Sequence, residues 1–154
     1  MQINQAAPDF SLFDTEKKKV TLSELKGKNV LLLFFPLAFT STCTAELCST
    51  RDNLTFYNSM NAEVFGISTD SLFALAKFKE EQHLNFKLLS DYNKTTCKAY
   101  DSLYETFSFE MEGVSKRSAF VIDKEGIIRY AEILEKAGDL PNFEKINETL
   151  KELN

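Results

Sequence analysis

Cys43 has the sequence context of a reactive cysteine. It lies in Pro36–Thr44 (Pro-Leu-Ala-Phe-Thr-Ser-Thr-Cys-Thr), after an apolar run from Val30 to Phe35 and at the start of a helical pattern. This order places the thiol in the first turn of a helix, at the end of a strand. The partial positive charge and unpaired N–H groups of a helix N-terminus favour a thiolate over a thiol. Cys48 follows five residues later, and two neighbouring thiols indicate redox chemistry.

The alternative interpretation of Cys43 is a buried structural cysteine, because free cysteines often pack as small hydrophobic side chains. Its neighbours argue against that interpretation. Four hydroxyl residues surround it: Thr40, Ser41, Thr42 and Thr44. A core position is seldom enclosed by so many hydroxyls, so we favour a cysteine presented by a rigid turn.

The elements that position this turn follow an α/β pattern. The unbroken apolar run over 29–35 is typical of a central strand buried on both faces. Thr21-Leu22-Ser23-Glu24 has the pattern of a capping box, which predicts a short helix that Gly27 ends. Asp139 is predicted to cap the last helix. The remaining predicted strands are 9–13, 63–68, 86–89, 118–123 and 127–134, and the remaining predicted helices are 42–57, 71–83 and 92–100.

This order predicts a mixed sheet in a single α/β domain over residues 1–154. Parallel crossovers come first, followed by a hairpin turning at Lys124-Glu125-Gly126 and a final helix. We therefore expect helices on both faces of the sheet.

Composition and charge exclude several classes of partner and of binding site. The net charge is −5 and basic residues do not cluster, which argues against nucleic acid and anionic membranes as main partners. The first residues contain neither a basic segment nor an apolar stretch, so we expect no secretory signal and a cytoplasmic, reducing location. The three cysteines do not have zinc-finger spacing, and His83 is the single histidine. We therefore expect no metal and no cofactor.

The spacing around Cys43 resembles that of a known family. Pro36, Thr40 and Cys43 match the Pro-x-x-x-Thr-x-x-Cys pattern of peroxiredoxins, the AhpC/TSA family. Arg117, just before the predicted strand 118–123, matches the active-site arginine of that family. The resemblance implies a thioredoxin-like fold and a thiol-dependent peroxidase without a cofactor.

Other segments extend the resemblance over nearly the whole chain, namely Ala7–Phe10 and Leu22–Gly27. Within the family, Pro36–Thr40 and Glu46 look like the alkyl hydroperoxide reductase E-like branch. Cys48 looks like the resolving cysteine of the Q-type, or bacterioferritin-comigratory, branch. The resemblance implies a peroxide substrate, a thioredoxin-like or other thiol reductant, and a monomer or homodimer.

The resemblance assigns a role to each residue of the motif, and each residue has a structural alternative. Arg117 would stabilise the thiolate and the departing oxygen, but a lone arginine is more often a solvated charge. Thr40 would orient the peroxide, or only cap the following helix. Pro36 would shield the sulfur, or only end the strand. Glu46 would position the peroxide or the arginine, or only complement the helix dipole. The four structural alternatives together explain the pattern less well than one site.

A resolving role for Cys48 requires movement of the helix. Five residues along an α-helix separate two Cα atoms by about 8.7 Å, whereas a disulfide needs about 7 Å or less. Cys43 and Cys48 can therefore bond only after local unwinding, and a packing role for Cys48 stays open. For Cys97 we favour a structural role and keep it as an alternative resolver. For His83 we expect a solvated or capping role.

Three classes of function compete on the sequence alone. A thiol peroxidase, resolved internally or recycled directly by an external thiol as a one-cysteine enzyme, fits best. A thiol-disulfide oxidoreductase usually carries Cys-x-x-Cys, but Thr40 occupies that position here. A binding or chaperone module has no need of the complete motif. A cysteine hydrolase is not among these three classes, because it would need a histidine base better placed than His83.

Overall fold

A mixed seven-stranded sheet forms the centre of the protein in the computed structural model, which describes residues 2–154. Met1, the first residue of the predicted domain, lies outside this range. The strands are ordered β2-β1-β5-β4-β3-β6-β7, with β3, β4 and β5 parallel and the other pairs antiparallel. They are β1 (Ser11–Asp14), β2 (Lys19–Thr21), β3 (Asn29–Phe34), β4 (Ala62–Ser68), β5 (Lys87–Ser90), β6 (Arg117–Ile122) and β7 (Ile128–Leu134).

Helices cover both faces of the sheet, as the sequence predicts. The α-helices are α1 (Ser41–Asp52), α2 (Leu54–Ser59), α3 (Leu72–Gln82), α4 (Thr95–Ala99) and α5 (Phe143–Glu152), and two 3-10 turns occur at Leu22–Leu25 and Ser108–Glu110. Leu31 and Leu33 of β3 pack with α1, α3 and α5, whereas Leu32 and Phe34 pack on the opposite face with α4. Burial on both faces explains why β3 reads as an unbroken apolar run. Such a thioredoxin-like architecture was expected from the family resemblance.

The strand order brings two chain segments to one edge of the sheet. Phe34, the last residue of β3, lies opposite Ser118 of the antiparallel strand β6. Arg117 is the next residue toward that edge. Alternate β6 residues Ala119 and Val121 belong to the core beneath α1, so the period of two directs Arg117 to the same face. The loop from β3 to α1 therefore meets Arg117.

The predicted helix 42–57 is wrong as a single element. It is interrupted at Asn53, whose backbone N–H and side-chain amide both donate to the carbonyl of Ser49. A side chain that bonds to the backbone in this way competes with continuation of the helix. Because the apolar spacing continues through α2, periodicity alone does not show the break.

Two predicted caps are also wrong. The Thr21 hydroxyl bonds to Ser11 Oγ at 2.7 Å across β1 and β2, so it does not cap the 3-10 turn that follows. The last helix starts at Phe143 instead of near Asp139, and Asn142 caps it by accepting from the N–H of Lys145 at 3.2 Å. Strand β2 was not predicted, because it has only three residues, of which Val20 alone is apolar, and so short a segment gives little periodic signal.

Several boundaries differ by a few residues. The first strand starts at Ser11 instead of Asp9, and α4 is limited to Thr95–Ala99 within the predicted 92–100. Gly126 turns the predicted hairpin with a φ of 85°. Within residues 2–154 we find no helix with the length and apolar character needed to cross a membrane.

Candidate active site

The loop between β3 and α1 is held by a hydrogen bond to Asp70, which follows β4. Asp70 Oδ2 accepts hydrogen bonds from the N–H of Ala38 at 2.9 Å and from the Ser68 hydroxyl at 2.7 Å. Phe39 has a φ of 69°, a left-handed conformation that a bulky residue seldom adopts. Its ring makes an edge contact with Phe78 of α3, with ring centroids 5.2 Å apart. The loop therefore has a defined course into α1.

Cys43 lies in the first turn of α1 and is fully buried. Arg117 Nη2 donates to its Sγ at 3.3 Å. The helix N-terminus, with its partial positive charge, and the guanidinium of Arg117 therefore both lie next to the sulfur. The predicted meeting of Cys43 and Arg117 is found in the structure.

Arg117 is oriented by three hydrogen bonds to two residues, Glu46 and Ala137. Its Nη1 donates to Glu46 Oε1 at 2.7 Å, and its Nε and Nη2 donate to the carbonyl of Ala137 at 3.2 and 2.8 Å. The side chains of Arg117 and Glu46 are 1% and 0% exposed. Burying a guanidinium away from water is costly unless hydrogen bonds and an opposite charge replace its hydration. The bonds hold one N–H against the sulfur.

Burial dominates the titration of Glu46. Removal from water raises the pKa of its carboxyl from 4.5 to about 7, although the charge and hydrogen bond of Arg117 oppose the rise. Its Oε2 is buried and has no hydrogen-bond partner among residues 2–154. For Arg117, burial disfavours the cation, but the charges of Glu46 and Cys43 outweigh burial and raise its pKa. Glu46 thus contacts the same guanidinium that donates to the Cys43 sulfur.

Thr40 and Pro36 line the same small cavity, of about 160 Å³. Thr40 occupies the N-cap position of α1 but makes no side-chain cap; its hydroxyl donates to the carbonyl of Leu37 at 2.7 Å. The oxygen lone pairs of Thr40 therefore remain able to accept from a ligand. The cavity is completed by Leu37, Ser41, Thr42, Cys43, Phe107, Arg117, Ala137 and Gly138. A larger cleft, of about 320 Å³ between Lys28 and Lys87, lacks these groups, so we assign the site by chemistry and not by size.

The two other cysteines lie outside this cavity. Cys48 is half-buried on α1, and its Sγ contacts Gln82 Oε1 at 3.5 Å. Cys97 is buried in the core on the opposite face of the sheet from Cys43. Burial and the nearby Asp91 raise the pKa of the Cys97 thiol far above its ordinary value. His83 follows α3 in the left-handed conformation and terminates that helix.

Several residues of the site escape sequence reasoning. Ala137 contributes a backbone carbonyl, which no side-chain pattern can indicate. Phe107 and Gly138 reach the cavity from distant loops. Asp70 gives a weak signal, since an aspartate just after a strand is typical of a turn, but its bond to the N–H of Ala38 in another loop is not visible in the sequence.

Known proteins resemble this chain over most of its length. The AhpC/TSA family model matches residues 3–131. Peroxiredoxin Bcp of Bacillus subtilis strain 168 is 39% identical over 128 residues, covering 82% of this chain and 81% of that protein. Peroxiredoxin Bcp of Escherichia coli K12 is 35% identical over 131 residues, covering 84% of each. The crystal structure of peroxidoxin BcpB from Mycobacterium tuberculosis has 30% identity and a TM-score of 0.88, covering 100% of this chain and 99% of its own.

Proposed function

The chain belongs to the AhpC/TSA family and is a thiol peroxidase of the peroxiredoxin type, and on this premise we propose that Cys43 is its peroxidatic residue. Its substrates in this proposal are hydrogen peroxide and organic hydroperoxides. The observation that carries the proposal is the 3.3 Å contact from Arg117 Nη2 to Cys43 Sγ at the wall of a cavity.

The reaction is a two-electron transfer from sulfur to oxygen. The Cys43 thiolate attacks the terminal peroxide oxygen; the S–O bond forms as the O–O bond breaks. The sulfur becomes a sulfenic acid. The other oxygen leaves as alkoxide or hydroxide and takes up a proton from water, so the organic product is an alcohol.

The site stabilises the charge that moves during this step. Arg117, Thr42 and Cys43 all line the cavity. In this proposal the guanidinium and the first-turn N–H groups of Thr42 and Cys43 donate to the leaving oxygen as it becomes negative, as donors of an oxyanion hole do. Thr40 accepts a hydrogen bond from the peroxide and fixes its orientation. Pro36 has no N–H and limits access of water to the sulfur. Glu46 orients Arg117 through the 2.7 Å ion pair.

We assign the resolving role to Cys48. Its thiol attacks the sulfenic sulfur of Cys43 to form an intramolecular disulfide, with loss of hydroxide as water. Cys48 is the nearer candidate in sequence and is half-buried, whereas Cys97 lies across the sheet with a strongly disfavoured thiolate. A dithiol reductant of the thioredoxin kind then reduces the disulfide. The alternative is a one-cysteine cycle in which an external thiol reduces Cys43 directly.

The cellular setting is part of the same proposal. We place the protein in the cytoplasm as a monomer or homodimer, where three free cysteines suit a reducing compartment.

Mass spectrometry after one equivalent of peroxide tests the cycle. We expect a Cys43–Cys48 bridge in the wild type, and an accumulating and over-oxidising Cys43 sulfenic acid in Cys48→Ser. A sulfenic acid without a bridge, together with normal turnover of Cys48→Ser, would establish the one-cysteine cycle instead. A bridge to Cys97 would reassign the resolver.

A further inference from the structure

Cys48 is held by a small hydrogen-bonded group that we name the Cys48 cradle, formed by Cys48, Arg51 and Gln82. Cys48 Sγ contacts the side-chain oxygen of Gln82 at 3.5 Å, and Arg51 Nη1 donates to the backbone carbonyl of the same residue at 2.6 Å. Asn85 Nδ2 donates to the carbonyl of Arg51 at 3.3 Å. The last turns of α1 are therefore tied to the end of α3.

The tie between the two helices has favourable electrostatics. Gln82 is the last residue of α3, where backbone carbonyls have no partner within the helix and carry partial negative charge. The Arg51 guanidinium satisfies one of these carbonyls. Arg51 follows Cys48 by three residues, so both side chains lie on the side of α1 that faces α3.

The other end of α1 is held differently. The Thr40 hydroxyl bonds to Leu37 and leaves the first turn without a side-chain cap. Phe39, just before it, is 52% exposed and has a left-handed backbone. Oxidation of Cys43 also changes the sulfur to which Arg117 Nη2 donates. The reaction therefore alters a contact of the N-terminal turns, whereas the hydrogen bonds of the cradle do not involve the reacting sulfur.

We propose that Arg51 is a positioning residue for resolution: with Gln82 it keeps Cys48 in place while the N-terminal turns of α1 unwind and bring Cys43 to it. This inference rests on the proposed resolving role of Cys48. The Cys48 thiolate attacks the sulfenic sulfur, the S–S bond forms, and the S–O bond breaks. Hydroxide leaves and is protonated to water. When Cys48 Sγ is held in place and only Cys43 moves, the effective concentration of one sulfur at the other is higher than when both sulfurs are mobile.

Rapid-quench alkylation followed by intact-mass measurement tests this role, because it follows sulfenic acid and disulfide separately. In Arg51→Met, we expect Cys43 to be oxidised at the wild-type rate and the disulfide to close more slowly, on the order of tenfold for one lost charge-assisted bond. Arg51→Lys keeps a cationic donor and should recover part of the rate. Asp52→Asn is the matched control, since Asp52 pairs with Arg51 Nε at 2.9 Å, whereas Gln82 accepts from Arg51 Nη1.

An unchanged or faster closure in Arg51→Met would overturn the positioning role. Hydrogen exchange on the oxidised wild-type protein gives a second test that needs no variant. Amides over 41–46 should lose protection while those over 49–52 keep it, and equal loss in both segments would refute the proposal. If no Cys43–Cys48 bridge forms in the wild type, the resolving role of Cys48 fails, and the positioning role fails with it.

Discussion

Replacing Arg117 by methionine should slow peroxide reduction strongly while the protein stays folded. Methionine keeps much of the apolar stem and removes the guanidinium that donates to Cys43 Sγ at 3.3 Å. A hydrogen bond to a charged group contributes about 1.5–3 kcal/mol. If that bond is lost in the transition state, the rate of Cys43 oxidation falls roughly 10- to 150-fold.

The same substitution also affects stability, because it leaves Glu46 without its ion-pair partner. Breaking a buried ion pair by removing one member costs about 3–5 kcal/mol. The second variant, Arg117→Met combined with Glu46→Gln, removes the orphaned carboxylate. We expect it to recover much of the stability and none of the rate.

Stopped-flow oxidation at pH 8 and urea unfolding of the wild type and both variants provide the measurement. Loss of rate in both, with stability recovered in the double variant, separates the chemical role of Arg117 from its packing role. A folded Arg117→Met that reacts within twofold of the wild type would show that the guanidinium does not act on the reacting sulfur.

Two further predictions concern neighbours of Arg117. Burial raises the pKa of the Glu46 carboxyl from 4.5 to about 7, so the folded protein binds the carboxyl proton more tightly than the unfolded chain does. The resulting stabilisation of the folded state is complete below about pH 4.5 and is lost as the pH rises through 7. The wild type should therefore lose about 3 kcal/mol of unfolding free energy relative to Glu46→Gln between pH 4.5 and 8; parallel urea-unfolding profiles would contradict the argument. Thr40→Val should lower the rate of Cys43 oxidation roughly two- to tenfold, the value of one neutral hydrogen bond; an unchanged rate would leave Thr40 with a structural role only.

The sequence predicts the centre of the fold because the governing patterns are local. The apolar run of β3 and the hydroxyl-rich turn after it are contiguous, so they locate Cys43 at the start of α1 without tertiary information. The hairpin at Gly126 is likewise a short-range signal. Arg117 is different, because it is assigned through the family resemblance, and a lone arginine before a strand is more often a solvated charge.

What the sequence misses depends on contacts between distant segments. The Thr21 hydroxyl bonds to Ser11 across two strands instead of capping the turn, and that competition is invisible in a four-residue motif. Ala137 acts through its carbonyl, and any residue supplies one. The break at Asn53 depends on a side-chain bond to the backbone, which apolar periodicity does not report.

Removal of the Cys43 thiol tests the central claim most directly. Cys43→Ser keeps the size of the side chain and loses the nucleophile, while Cys48 and Cys97 remain. Consumption of hydrogen peroxide with excess dithiol should fall to the background rate, with circular dichroism showing a wild-type fold. Peroxide consumption near the wild-type rate by folded Cys43→Ser would contradict the assignment of Cys43 as the peroxidatic residue.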